Sequence, residues 1–151
     1  MKWTIALAAT ALLLAGCGRD SASYLIDGRD HSLTLMREQT YFWRSDWDLA
    51  LMTTRQPECM RRHPLKAAPM GEDFKVELFR SLEGGYILKQ GGNWYVADTQ
   101  KCRLQQYPAP PAEPGDLLGA FEVKEDRLQF TAAAQSAVKP PAPAAPVPAR
   151  P

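Results

Sequence analysis

Through the middle of the chain, apolar and polar residues alternate with a period of two, the pattern of half-buried strands rather than of helices. Phe74, Val76 and Leu78 share one face while Lys75, Glu77 and Phe79 take the other. Gly84-Gly85 then turns the chain into residues 86–89, and Gly91-Gly92-Asn93 turns it again into residues 94–97. Three strands joined by glycine-rich turns predict a central meander. Upstream, Tyr24-Leu25-Ile26 runs into Asp27-Gly28, a hairpin signal because both turn positions tolerate positive φ. The apolar stretch Leu33-Thr34-Leu35-Met36 follows, with Tyr41-Phe42-Trp43 beyond it. Arg44-Ser45-Asp46 reads as a reversal into a strand in which Trp47, Leu49 and Leu51 alternate with Asp48, Ala50 and Met52.

Two segments break this period. Residues 57–64 begin with proline and end with positive charge, the order expected of one or two helical turns, with a loop as the alternative. Residues 107–115 are dense in proline and are expected to run extended over the surface. After them, Leu117, Leu118, Phe121 and Val123, a turn at Lys124-Glu125-Asp126, and Leu128 with Phe130 predict a last hairpin. The expected fold is therefore all-β: a small antiparallel barrel or sandwich of seven or eight strands with at most a short helix.

The two ends differ from this domain. From residue 132 the chain is mostly Ala, Pro and Val, with too little apolar bulk to offset its ordering entropy, so residues 132–151 are expected to form a disordered tail of polyproline character. At the other end, Met1-Lys2 is followed by residues 5–15, apolar apart from Thr10, and then by Gly16. That run is too short to cross a bilayer, which takes about 20 apolar residues. It has instead the layout of a signal peptide. Leu14-Ala15-Gly16-Cys17 resembles the lipobox of bacterial lipoproteins, the substrates of signal peptidase II. The resemblance implies cleavage before Cys17, a thioether-linked diacylglycerol on its sulfur and further acylation. More than one chain matters, since a single fatty chain binds membranes only marginally. In enterobacterial lipoproteins an Asp after the cysteine retains the protein at the inner membrane, so by the same resemblance Gly18 favours the outer membrane, with the domain facing the periplasm. The expected organisation is a leader at 1–16, a lipidated tether at 17–23, a β-rich periplasmic domain at 24–131 and the tail.

Charge narrows the partners. The sequence has 18 Lys and Arg against 17 Asp and Glu, and loss of Lys2 with the leader leaves 17 of each. A nucleic-acid binder needs a basic excess to exchange against phosphate counterions, so nucleic acid is not expected as a partner. Cys59 and Cys102 remain once Cys17 is acylated, and an oxidising periplasm predicts that they pair. Two isolated cysteines lack the close spacing of a zinc site, and neither a metal nor another cofactor is expected.

Candidate chemistry is sparse. His31 lies in the polar stretch Arg29-Asp30-His31-Ser32, where a surface turn is expected, and neighbouring side chains on extended backbone point apart, so Asp30-His31-Ser32 is no triad. The glycine pairs are turns rather than a phosphate loop. The candidate partner-binding residues are Arg55, Arg61, Arg62 and Lys66, which with His63 form the one local concentration of positive charge and suit an acidic partner, lipid phosphate or anionic glycan. A second candidate surface is aromatic, because three consecutive rings at Tyr41, Phe42 and Trp43 place at least one on the outer face of a strand, and Trp94-Tyr95 does the same. The expected function is non-enzymatic: a membrane-anchored domain that binds an envelope protein or a cell-wall component such as peptidoglycan. One alternative is inhibition of a cell-wall hydrolase such as lysozyme, which this chain suggests only by size, compartment and strand richness. The other is a hydrolase or metal-handling protein built on Asp27, Asp30 and His31.

Overall fold

The alternating positions become strands throughout the computed structural model, which describes residues 18–71 and 73–134. The expected leader and lipobox with Cys17, Glu72, and residues 135–151 of the expected tail lie outside the described residues. In chain order the strands are β1 (Arg19–Leu25), β2 (His31–Glu38), β3 (Asp46–Arg55), β4 (Cys59–Pro64), β5 (Ala68–Pro69), β6 (Lys75–Arg80), β7 (Tyr86–Gln90), β8 (Asn93–Asp98), β9 (Arg103–Tyr107), β10 (Asp116–Lys124) and β11 (Arg127–Ala132). No helix occurs among the described residues. One sheet runs β1-β2-β3-β4 with β5 also on β3, and the other runs β11-β10-β6-β7-β8-β9. Every pairing is antiparallel. The sheets do not close into a barrel, so the fold is a two-sheet sandwich.

Period-two burial decides which residues meet between the sheets. Leu33 and Leu35 on β2 and Leu51 on β3 face Val76, Leu78, Leu88 and Phe121 of the second sheet, and all seven are fully buried. Burying such a side chain contributes about 1.5–3 kcal/mol, so this layer supplies the cohesion of the fold. In β10 the register slips between Leu117 and Gly119. Gly119 sits at that bulge because a Cβ there would lie 2.3 Å from the Thr131 carbonyl oxygen, closer than any side chain tolerates.

The two long margins of the sandwich are fastened differently. On one, Arg37 of β2 donates through Nη2 to Asp20 of β1 at 3.1 Å and to the Asp126 carbonyl, while the Leu128 amide of β11 donates to Asp20. On the other, the disulfide between Cys59 and Cys102 joins β4 to the turn before β9. His63 Nε2 donates to the Cys102 carbonyl at 3.0 Å beside it. The pairing of these cysteines is as expected from the sequence.

Several expectations are corrected. Among the described residues there are eleven strands, not seven or eight, and the meander β6-β7-β8 gains β9 as a fourth member. Residues 19–23 are not a tether but most of β1, because Ala22 and Tyr24 pack inward and Asp20 finds partners. Residues 57–64 form a turn and β4, not helical turns, since pairing with β3 satisfies their backbone groups. Residues 132 and 133 belong to the fold rather than to the expected tail, for β11 extends to Ala132 and the Ala133 amide donates to Leu118 O at 2.9 Å. Tyr41-Phe42-Trp43 is a turn between β2 and β3, not a strand. Residues 108–115 do cross the surface without regular structure.

Candidate functional site

A cavity of about 540 Å³ opens at one end of the sandwich. It lies where the β1–β2 and β3–β4 turns meet the loop between β6 and β7. His31 opens β2 and faces Arg55 at the end of β3 in register, so antiparallel pairing brings residues 24 positions apart to one rim. Arg80 closes β6 opposite Tyr86 of β7, with its guanidinium 5.8 Å from the Tyr86 ring centre. The loop between them is tied by the Gly84 amide to Ser81 O and the Ser81 amide to Gly85 O, each at 3.0 Å. Gly84 has φ 84°, which glycine holds without strain. On the third side, Asp98 Oδ1 accepts the Gln100 and Lys101 amides at 2.8 and 3.2 Å, which fixes the turn carrying Thr99.

The polar groups of this cleft are under-used. His31 Nε2 is buried and has no hydrogen-bond partner among the described residues. Burial and the nearby Arg55 charge hold the imidazole pKa below its ordinary value, against weaker opposing pulls from Asp27 and Glu58. The ring is therefore neutral at pH 7 and offers either a donor or an acceptor. Arg55 has one distant partner, Glu58 at 4.0 Å, and Arg80 forms no ion pair among the described residues. Tyr86 is 2% exposed, and burial raises its phenol pKa against the opposing effect of Arg80. Glu83 and Asp98 are the acids of the rim, and Ile26, Ile87 and Val96 give it apolar walls. Two guanidinium forks over apolar walls can hold a carboxylate or phosphate whose remainder is uncharged.

The chain matches no protein-family model, no curated protein and no solved structure.

The residues chosen from sequence do not share one surface. Alternation on β4 sends Arg61 and Arg62 to opposite faces. Arg62 lies on the outer face 3.4 Å from Glu38, Lys66 is exposed in the connection to β5, and only Arg55 reaches the cleft. His31 is not on a surface turn but at the first position of β2, lining the cavity. Asp27 and Asp30 are exposed on the hairpin turn and do not line it. Trp94 is half-buried with Lys89 5.5 Å from its ring centre, and Tyr95 is in the core. No three His, Cys, Asp or Glu side chains gather as a metal site needs among the described residues, and no helix there is long and apolar enough to cross a membrane. Sequence reasoning missed Arg80, Tyr86 and Thr99. The only local signal was a basic residue ending a strand before a glycine-rich loop.

Proposed function

We propose that the chain is a lipoprotein anchored by acyl chains on Cys17, held at the outer membrane and facing the periplasm, where its β sandwich binds a cell-wall component or envelope protein without catalysis. One observation carries the binding reading: His31, Arg55 and Arg80 converge on an open cleft with little internal pairing. Peptidoglycan stem peptides present carboxylates on a neutral backbone, which suits two guanidiniums over apolar walls. The cleft is also at the far end of the sandwich from the chain's attachment. His31 begins β2 and Glu38 ends it, a separation of about 23 Å at 3.3 Å per residue, and Gln39 is bonded to Gly18, next to Cys17. A bilayer at Cys17 leaves the cleft pointing away from it.

Two measurements test this. Arg80→Glu and Arg55→Glu should each weaken co-sedimentation of the mature protein with purified sacculi by about tenfold, the equivalent of about 1.4 kcal/mol for a lost charge-assisted pair. Arg61→Glu, outside the cleft, should change it little. Equal binding by all three variants would remove the cleft from the reading. Separately, Cys17→Ser should shift the protein from the membrane fraction to an unprocessed or soluble form. Recovery of that variant in the membrane at mature size would refute the anchor.

A further inference from the structure

The turn between β2 and β3 holds three consecutive aromatic residues out of the fold. Tyr41, Phe42 and Trp43 are 49%, 82% and 68% exposed. They are nonetheless an ordered unit. Tyr41 stacks on Trp43 with ring centres 4.9 Å apart, and Phe42 meets Trp43 edge-on at 4.8 Å. Gln39 Nε2 donates to Phe42 O at 3.3 Å and to Arg44 O at 3.5 Å, and the Arg44 amide donates to Tyr41 O at 3.1 Å. Arg44 Nη1 donates to both Asp48 carboxylate oxygens at 3.0 and 3.2 Å, and the Thr40 hydroxyl also donates to Asp48. The turn is thus braced at both ends in a shape that exposes its rings.

Position identifies what covers them. The Gln39 amide donates to Gly18 O at 2.9 Å, and a Cβ on Gly18 would lie 3.0 Å from the Trp47 ring. The start of β1 is therefore fixed beside the aromatic turn. Cys17 is the next residue, and one residue spans at most about 3.6 Å. Charge does not oppose a lipid surface: Glu38 carries Arg19 and Arg62, each at 3.4 Å, and Arg44 pairs with Asp48, so with Asp46 the bases and acids beside the turn balance. Tyr and Trp suit a headgroup layer because their rings are apolar and their polar edges stay wet.

We propose that Tyr41, Phe42 and Trp43 form a membrane foot that enters the headgroup region of the bilayer holding Cys17. The proposal rests on acylation of Cys17 and adds orientation to it: the lipid supplies attachment, and the foot stands the sandwich upright with the His31–Arg55–Arg80 cleft outward.

The test uses the mature protein extracted from its membrane and reconstituted in vesicles of phosphatidylethanolamine and phosphatidylglycerol, with bromine on the upper acyl-chain carbons of one set. The mature chain has three tryptophans once Trp3 leaves with the leader. Bromolipid should quench tryptophan emission, chiefly that of the exposed Trp43, with a smaller part from half-buried Trp47 beside Gly18. Trp43→Phe should remove most of this quenching while the protein still floats with the vesicles. Equal quenching of wild type and Trp43→Phe would overturn the foot. A mature chain whose intact mass lacks the diacylglyceryl group, and which does not float, would overturn the anchor itself. An acylated, floating chain whose Trp43 is unquenched refutes the foot alone. A photocrosslinker at Phe42 that captures protein instead of lipid in cells refutes it as well.

Discussion

Replacing both Cys59 and Cys102 with serine is expected to lower the melting temperature by about 15 °C. The bond spans 43 positions, and closing a loop of that size restricts the unfolded chain by about 4 kcal/mol in the entropic account. A domain of this length loses about 4 °C per kcal/mol. Few other contacts hold this margin: β4 is an edge strand whose Met60, Arg61, Arg62 and Pro64 are exposed, and across the gap the links are His63 to the Cys102 carbonyl and, just past β4, the Lys66 amide to the Tyr95 hydroxyl and Gln90 Nε2 to Lys66 O. Cys102 has a left-handed backbone, φ 46°, which serine bears no better, so the double substitution isolates the cross-link. Melts of wild type with and without reductant should reproduce the same difference, and hydrogen exchange should show β4 losing protection first. A shift below about 3 °C would mean that the margin is held by packing rather than by the bond.

What was legible in the sequence follows from where each strand lies. The meander could be read because β6, β7 and β8 are interior to their sheet: β6 and β8 alternate between core and outside, β7 is an apolar run buried on both faces, and glycine turns separate them. The edge strands could not. On β4, Met60, Arg61 and Arg62 are all exposed, and on β9 only Leu104 of Arg103-Leu104-Gln105-Gln106-Tyr107 turns toward the core. A strand wet on both faces has no period to detect, and charges there also guard against edge pairing. β1 was hidden differently, since its inward positions include an acid, Asp20, whose partners lie 17 and 108 residues away. Tyr41-Phe42-Trp43 misled for the opposite reason: three adjacent rings resemble a buried strand, and nothing local says they face water.

The cleft was illegible because it is made by pairing at a distance. His31 meets Arg55 only through β2–β3 register, and Arg80 meets Tyr86 only through β6–β7. Local charge density pointed instead to Arg61 and Arg62, which alternation then separated. Gly18 carries a related lesson. Read against the lipobox it speaks to sorting, whereas the structure gives an additional constraint, since Trp47 lies where a side chain at 18 would begin.

Asp20→Ala is expected to cost about 3 kcal/mol, or about 10 °C, because it strands a buried cation. The Arg37 side chain is 8% exposed, its Nε already lacks a partner among the described residues, and its ring neighbour Trp47, 4.7 Å away, keeps water off one face. Without Asp20, the Asp126 carbonyl is the remaining acceptor of those named here, and the Leu128 amide loses its partner too. Acid should act on the same contact. Burial pushes the Asp20 pKa up, but the Leu128 and Ser21 amides and the Arg37 charge outweigh it and hold the carboxyl below its ordinary value. A depressed folded pKa means that this stabilisation is complete above about pH 4 and is lost as pH falls through the lower folded value. Glu77, between Lys89 and Lys75 at 3.2 Å each, has its pKa lowered despite burial and contributes to the same acid limb. Urea unfolding from about pH 7 to about pH 3 should therefore show a shallower fall for Asp20→Asn than for wild type. Asp126→Gly supplies the converse test, because only the backbone carbonyl of Asp126 serves Arg37. Asp126 has φ 62° in the β10–β11 turn, so glycine there should retain the contact and add up to about 1 kcal/mol of stability by relieving the left-handed residue. If Asp126→Gly destabilised as much as Asp20→Ala, the margin would depend on the Asp126 side chain and the carbonyl contact with Arg37 would not be what closes it.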